Sequence, residues 1–209
     1  MKIPKKYSQP LSLRELATGI YYSEKNAVRL IEDAEILIQN KRFLSAINCL
    51  RLAVEELMKS HILYQGTVYG DKPSSQWEWL WQAFTNHREK VRTQEYEIHW
   101  PGYEDKEGAV EEFNRRVHRL LEQRENCLYV QFNADRKQFV EPDALFPDTE
   151  AFAVNELGYV HNLCKMVLNP WPTSIDDIEM ALNFSKADHG IRDQISLATS
   201  SPMPTPPES

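Results

Sequence analysis

The stretch Phe43-Leu-Ser-Ala-Ile-Asn-Cys-Leu-Arg-Leu-Ala-Val-Glu-Glu-Leu57 decides the fold. Phe43, Ala46, Ile47, Leu50, Ala53, Val54 and Leu57 recur at spacings of three and four, which lines them along one face of an α-helix. Cys49, Leu52 and Leu63 make a weaker apolar stripe on the opposite side, so this helix is expected to be covered on both faces and to stand at the centre of the molecule.

Upstream, Ser23 reads as the N-cap of a first helix carrying Ala27, Val28, Ile31, Ala34 and Ile38 and ending near Asn40. Residues 1–22 show no sustained period and read as an N-terminal arm, or as a short helix from Ser12. Downstream, Gly66 to Ser75 marks a loop. Trp77, Leu80, Trp81, Phe84 and Val91 form the bulky stripe of a third helix, and a charged segment from Gln94 to Gly108, broken by Pro101 and Gly102, reads as a second loop. A fourth helix is expected over Ala109 to Asn126 on Val110, Phe113, Val117, Leu120 and Leu121. The β-prone pieces 127–132 and 137–140 suggest a small hairpin. Asp148 caps a fifth helix that Asn169-Pro-Trp-Pro172 stops, and Ser174 opens a sixth through Ala187. The result is an all-α bundle of five to six helices over residues 23–188, with a Pro-rich, disordered tail over 189–209.

The composition narrows the chemistry. The 209 residues suit one domain with a sizeable core. The longest uncharged runs are too short and polar to span a bilayer, and Met1 to Lys6 is not followed by an apolar signal segment, which predicts a cytoplasmic protein with no membrane association. Cys49, Cys127 and Cys164 are far apart, so neither a disulfide framework nor a cysteine zinc site is encoded. The six histidines lack metal-ligand spacing, and no glycine-rich nucleotide loop or G-x-S-x-G elbow occurs. No metal and no cofactor are therefore expected. A net charge of −7 leaves no case for a polyanion binder held by global charge, so any such binding must be local.

Polar residues interrupt the apolar seams at two places. His87 lies three after Phe84 and four before Val91, on the flank of the tryptophan stripe. Arg124 lies four after Leu120. A buried guanidinium or imidazole needs partners, so each is either a satisfied core or helix-end group or part of a site. Glu55 and Lys59 stand at the spacing of a helical ion pair, while Glu56 faces the second stripe and is expected to meet an Arg or His of another helix. His61, on the apolar face, reads as structural. Two basic runs, His87 to Arg92 with Arg88 and Lys90, and Arg115 to Arg124 with Arg116 and Arg119, are either solvated faces or the place where a polyanion docks.

An ordered set of segments then resembles a known family. These are Tyr22-Ser-Glu-Lys-Asn-Ala-Val-Arg-Leu-Ile-Glu-Asp-Ala-Glu35, Arg42-Phe-Leu-Ser-Ala46 leading to Glu55-Glu-Leu-Met-Lys59, Phe84-Thr-Asn-His-Arg-Glu-Lys90, and Gln123-Arg-Glu-Asn-Cys-Leu-Tyr-Val130 with Pro142 beyond. Over residues 22–146 the chain resembles the AbiV type of abortive-infection protein, of the HEPN superfamily. The resemblance implies a helical bundle, often a homodimer, acting in bacterial defence against phage. It also implies RNA or the translation machinery as target, a phage protein as activator, and metal-independent endoribonuclease activity. By position, the family elements fall on Glu55, Glu56 and Lys59, on His87 and Lys90, and on Arg124, Leu128, Tyr129 and Val130. The implied roles are His87 as acid or base, Arg124 as phosphate-binding group and Glu56 as the residue that orients one of them. The family's R-x₄₋₆-H spacing is met by Arg92 and His99, expected to run from a helix end into the Pro-Gly loop, and these are the runner-up catalytic pair. The alternative is a non-catalytic module that binds RNA, the translation machinery or a phage protein.

Overall fold

Ser12 and Glu15 start the first helix. The Ser12 hydroxyl accepts from the Glu15 backbone N–H and the Glu15 carboxylate accepts from the Ser12 N–H, a reciprocal cap. Helix α1 therefore spans Leu13–Gln39: a helix does start from Ser12, as one of the two readings of residues 1–22 had it, but it is long and continuous with the helix expected from Ser23. Ser23 is buried within it, because Leu16, Ala17 and Ile20 carry the apolar face further toward the N-terminus. The computed structural model describes residues 9–69, 74–99, 108–128, 131–133, 137–142, 148–168 and 174–199.

After Asn40, Lys41 takes φ 57° and the Arg42 N–H donates to the Leu37 carbonyl at 2.8 Å, which reverses the chain. Helix α2 (Phe43–Tyr69) runs back antiparallel to α1. Of the loop expected over Gly66 to Ser75, residues 66–69 and 74–75 are helical and 70–73 lie outside the described residues. A Cβ on Gly66 would sit 3.0 Å from both Leu16 Cδ2 and Leu80 Cδ1, so this glycine permits close packing and marks no turn. α2 is central, as its two apolar stripes suggested. One end packs with Leu30, Ala34 and Val160, and the other with Leu16, Ile20, Trp77, Leu80, Ile178 and Leu182.

Helix α3 (Ser74–Thr85) stops where a single helix through Val91 was expected. Asn86 ends it and starts α4 (His87–His99), its side-chain oxygen accepting from the Arg88 N–H at 2.9 Å. α4 continues through the expected loop from Gln94 to His99. Gln94 and Glu95 are buried there, donating to the Tyr159 hydroxyl and accepting from Arg116 respectively, so their polarity is inward and satisfied. Helix α5 spans Ala109–Leu128 and packs on α4 through Val91, Phe113 and Val117. Strands β1 (Gln131–Asn133) and β2 (Gln138–Val140) pair antiparallel, Phe132 opposite Phe139. Helix α6 (Thr149–Leu168) lies on α2, and α7 (Ile175–Thr199) is tied to α1 by Arg14, which meets Asp176 and Glu179. α7 runs beyond Ala187 into the segment expected as tail. Residues 200–209 lie outside those described. The architecture is all-α, with seven helices and one hairpin among the described residues. None of its helices is long and apolar enough to cross a membrane.

One buried charge between α1 and α2 makes a pH prediction. Glu24 is 9% exposed and accepts from the Ser60 hydroxyl at 2.7 Å. Burial raises its carboxyl above the ordinary value, against the lowering effect of Ser60. A raised folded value means the native state holds the proton more tightly, so the penalty is absent below the unfolded value of about 4.3 and grows as pH rises through the folded one. Glu24→Gln, which keeps the acceptor, is expected to raise the melting temperature at pH 7 and to lose that advantage near pH 4.

Candidate functional site: a carboxylate shared by three basic side chains

Glu55 sits on α2 with its side chain 7% exposed, where α4 and α5 come against the central helix. Three basic side chains converge on it. His87, the first residue of α4, brings Nδ1 to 2.5 Å from Oε2. Lys90, one turn further along α4, brings Nζ to 3.5 Å from the same oxygen, and α5 supplies Arg124, whose Nε lies 3.0 Å from Oε1. Local sequence explains the meeting. The break at Asn86 restarts the helix at His87, and the three-residue spacing puts His87 and Lys90 on one face of α4.

The three contacts differ in kind. His87 is hydrogen-bonded to Glu55 and remains half exposed, at 53% of its side chain. Lys90 is enclosed, and burial lowers its ammonium below the ordinary lysine value, opposed mainly by the charge of Glu55. Arg124 makes a charge contact only, since Glu55 Oε1 is buried with no hydrogen bond directed at it. Beside these atoms is a cleft of about 10 Å³ lined by Arg51, Val54, Glu55, Lys90, Val91, Gln94, Leu120 and Arg124. It has room for about one water, so a larger ligand stays outside it, on the side where His87 is exposed.

A second buried pair supports the first. Arg51, one turn before Glu55, meets Glu156 of α6 at 3.1 Å and donates to Gln123 of α5 at 3.2 Å, while its Nε is buried without a partner. Burial raises the Glu156 carboxyl, against the pull of Arg51. Arg51, Lys90 and Arg124 thus stand against Glu55 and Glu156, with His87 bonded to Glu55 from outside the cleft lining. An acidic chain has gathered a local excess of cationic groups at one cleft.

The other sequence-derived candidates fall as follows. Glu56, expected to orient His87 or Arg124, pairs with Lys59 at 2.5 Å on its own helix, and the orienting position goes to Glu55. The adjacent residue is 100° further round the helix, and the packing of α4 and α5 selects Glu55. The expected Glu55–Lys59 pair is therefore replaced, and Lys59 lies over the Phe84 ring at 5.5 Å. Arg88 and Arg119 are exposed. Arg116 holds the buried Glu95 through a 2.6 Å contact, so it is occupied within the fold. Arg92 stacks on Phe113 and approaches Asn114 at 3.3 Å. His99 is not in a loop: it closes α4, seven residues after Arg92 in the same helix. Tyr129 lies outside the described residues. His61 bonds Gln65 on its own helix. Among the described residues no three His, Cys, Asp or Glu side chains gather as metal ligands would.

Sequence reasoning did not identify Arg51 or Glu95. The available signal was Arg51 at four residues before Glu55 on a helix apolar on two sides, a spacing that stacks two charges along one buried line.

The AbiV family model of HEPN proteins matches residues 15–163, more than two thirds of the chain. No curated protein and no solved structure matches. The matched span shows the family, and the helical bundle agrees with it: the chain belongs to the AbiV family, the abortive-infection HEPN proteins.

Proposed function

We propose that the protein is an endoribonuclease that works without a metal ion, with His87 as the acid/base group, Arg124 as the phosphate-binding group and Glu55 as the positioning residue. The observation that carries this reading is the hydrogen bond from His87 Nδ1 to buried Glu55, made by a ring that stays half exposed. With Nδ1–H donated to Glu55, the neutral tautomer offers Nε2 as the base. Nε2 takes the proton of a ribose 2′-hydroxyl, the 2′ oxygen bonds to the adjacent phosphorus, and the bond to the 5′ oxygen breaks. The proton returns through solvent to that 5′ oxygen, giving a 2′,3′-cyclic phosphate and a 5′-hydroxyl end. Glu55 offsets the charge of the imidazolium in between. Arg124, held by one nitrogen, has terminal N–H groups to bind the phosphate oxygens as charge builds on them.

A second pair has one observation in its favour: Arg92 and His99 lie within one helix, α4, with the spacing the family resemblance singles out. Incubating the purified protein with single-stranded RNA in EDTA tests the function itself. Cleavage is expected, with cyclic phosphate ends, and a single 2′-deoxy nucleotide at the cut position abolishes it. RNA that is bound but left intact favours the non-catalytic module. In the proposed setting, phage defence, the targets are cellular RNA or the translation machinery, with a phage protein as trigger and a homodimer as the working form.

A further inference from the structure

Asn48, Arg51 and Glu55 follow one another at spacings of three and four, so they stand along one face of α2. Each of them meets α5. Asn48 Nδ2 donates to the Cys127 carbonyl at 3.1 Å, Arg51 Nη2 donates to Gln123 Oε1 at 3.2 Å, and Glu55 Oε1 lies 3.0 Å from Arg124 Nε. The apolar clusters of α5 fall to either side of Gln123 and Arg124 in the sequence: Phe113, Val117, Leu120 and Leu121 gather with Val91 of α4, and Cys127 clusters with Ile47. We propose that Arg51, acting through Gln123, is the positioning residue that fixes Arg124 beside Glu55; this rests on the reading of Arg124 as the phosphate-binding group.

The contact between Arg124 and Glu55 does not by itself set the angle of the guanidinium. Glu55 Oε1 is buried with no hydrogen bond directed at it, and the other oxygen is shared by His87 and Lys90. An attraction between charges fixes distance better than direction, so the aim of Arg124 depends on how α5 is turned against α2. The residue just before Arg124 is the one that Arg51 holds, and turning α5 about its axis would take Gln123 off Arg51 as it takes Arg124 off Glu55. Arg51 is itself well fixed. Its side chain is 9% exposed, and Glu156 of α6 lies 3.1 Å from the same Nη2 and answers its charge. Gln123 accepts through a neutral amide oxygen, so it holds Arg51 without offering Arg124 a second carboxylate in competition with Glu55.

The test reads the coupling between Glu55 and Arg124 by urea unfolding of Glu55→Gln, Arg124→Gln and the double variant of the full chain. The coupling is expected to fall to less than half in a Gln123→Leu background, which keeps the Arg51–Glu156 pair. A second background, Arg51→Met with Glu156→Leu, reads the same loss without touching α5, since apolar side chains of similar volume can replace a buried ion pair and leave the fold in place. Unchanged coupling in these backgrounds overturns the assignment. In RNA cleavage, Gln123→Leu should lower kcat about 10-fold with KM little changed. In an Arg124→Lys chain the same substitution should cost nothing further, because its effect runs through Arg124; additive losses, the mark of a role in stability alone, overturn the assignment. Reduced coupling in a protein that cleaves no RNA contradicts only the nuclease reading, and cleavage with unchanged coupling contradicts only this one.

Discussion

Glu55→Ala is expected to destabilise the protein by about 3–5 kcal/mol, a drop in melting temperature on the order of 10 °C for a chain of this size. The reason is what the substitution leaves behind. Lys90 is enclosed at 3% exposure and Arg124 at 21%, and their charges face each other across the space the carboxylate fills. Removing one partner of a buried ion cluster strands the rest, which costs more than the cluster contributed over an apolar equivalent. Glu56→Ala makes the control, since its partner Lys59 also lies over Phe84 and both side chains are nearer solvent. Urea denaturation of the two variants reads the difference directly. A loss below about 1 kcal/mol for Glu55→Ala would mean that the cations do not rest on this carboxylate.

His87→Ala is expected to lower RNA cleavage by about 10²–10⁴-fold while changing stability by less than about 1 kcal/mol. The imidazole is half exposed, and Glu55 keeps Lys90 and Arg124 when it is removed. Loss of activity with retention of fold separates a group that handles the proton from a core histidine. Arg124→Lys should also lower the rate, because a lysine keeps one charge but loses the planar fork that holds Glu55 and phosphate together.

The regular part of the fold is legible in the sequence because burial writes a period into it. The 43–57 stripe gives α2 and its central position, and the stripe on Phe113, Val117 and Leu120 gives α5. The boundaries are harder to read, and each difference has a local cause. Ser12 and Ser23 both precede apolar periods, and only the Ser12-x-x-Glu15 pattern distinguishes a cap from a buried serine. Gly66 reads as a turn unless Leu16 and Leu80 are known to press on it. Gln94 and Glu95 read as loop because their partners, Tyr159 and Arg116, are distant in sequence. At the site, His87, Lys90 and Arg124 could be picked out as interruptions of apolar seams or through the family resemblance. The choice between Glu55 and Glu56 could not, since adjacent residues differ only in helical phase and the docking of α4 and α5 sets that phase.

Single-turnover cleavage of one RNA in EDTA by wild type, His87→Ala and His99→Ala tests the central claim most directly. The account predicts that His87→Ala loses at least 100-fold while His99→Ala stays within a few-fold of wild type. Retained cleavage by His87→Ala with loss in His99→Ala would contradict it and move the site to the Arg92 and His99 pair of α4.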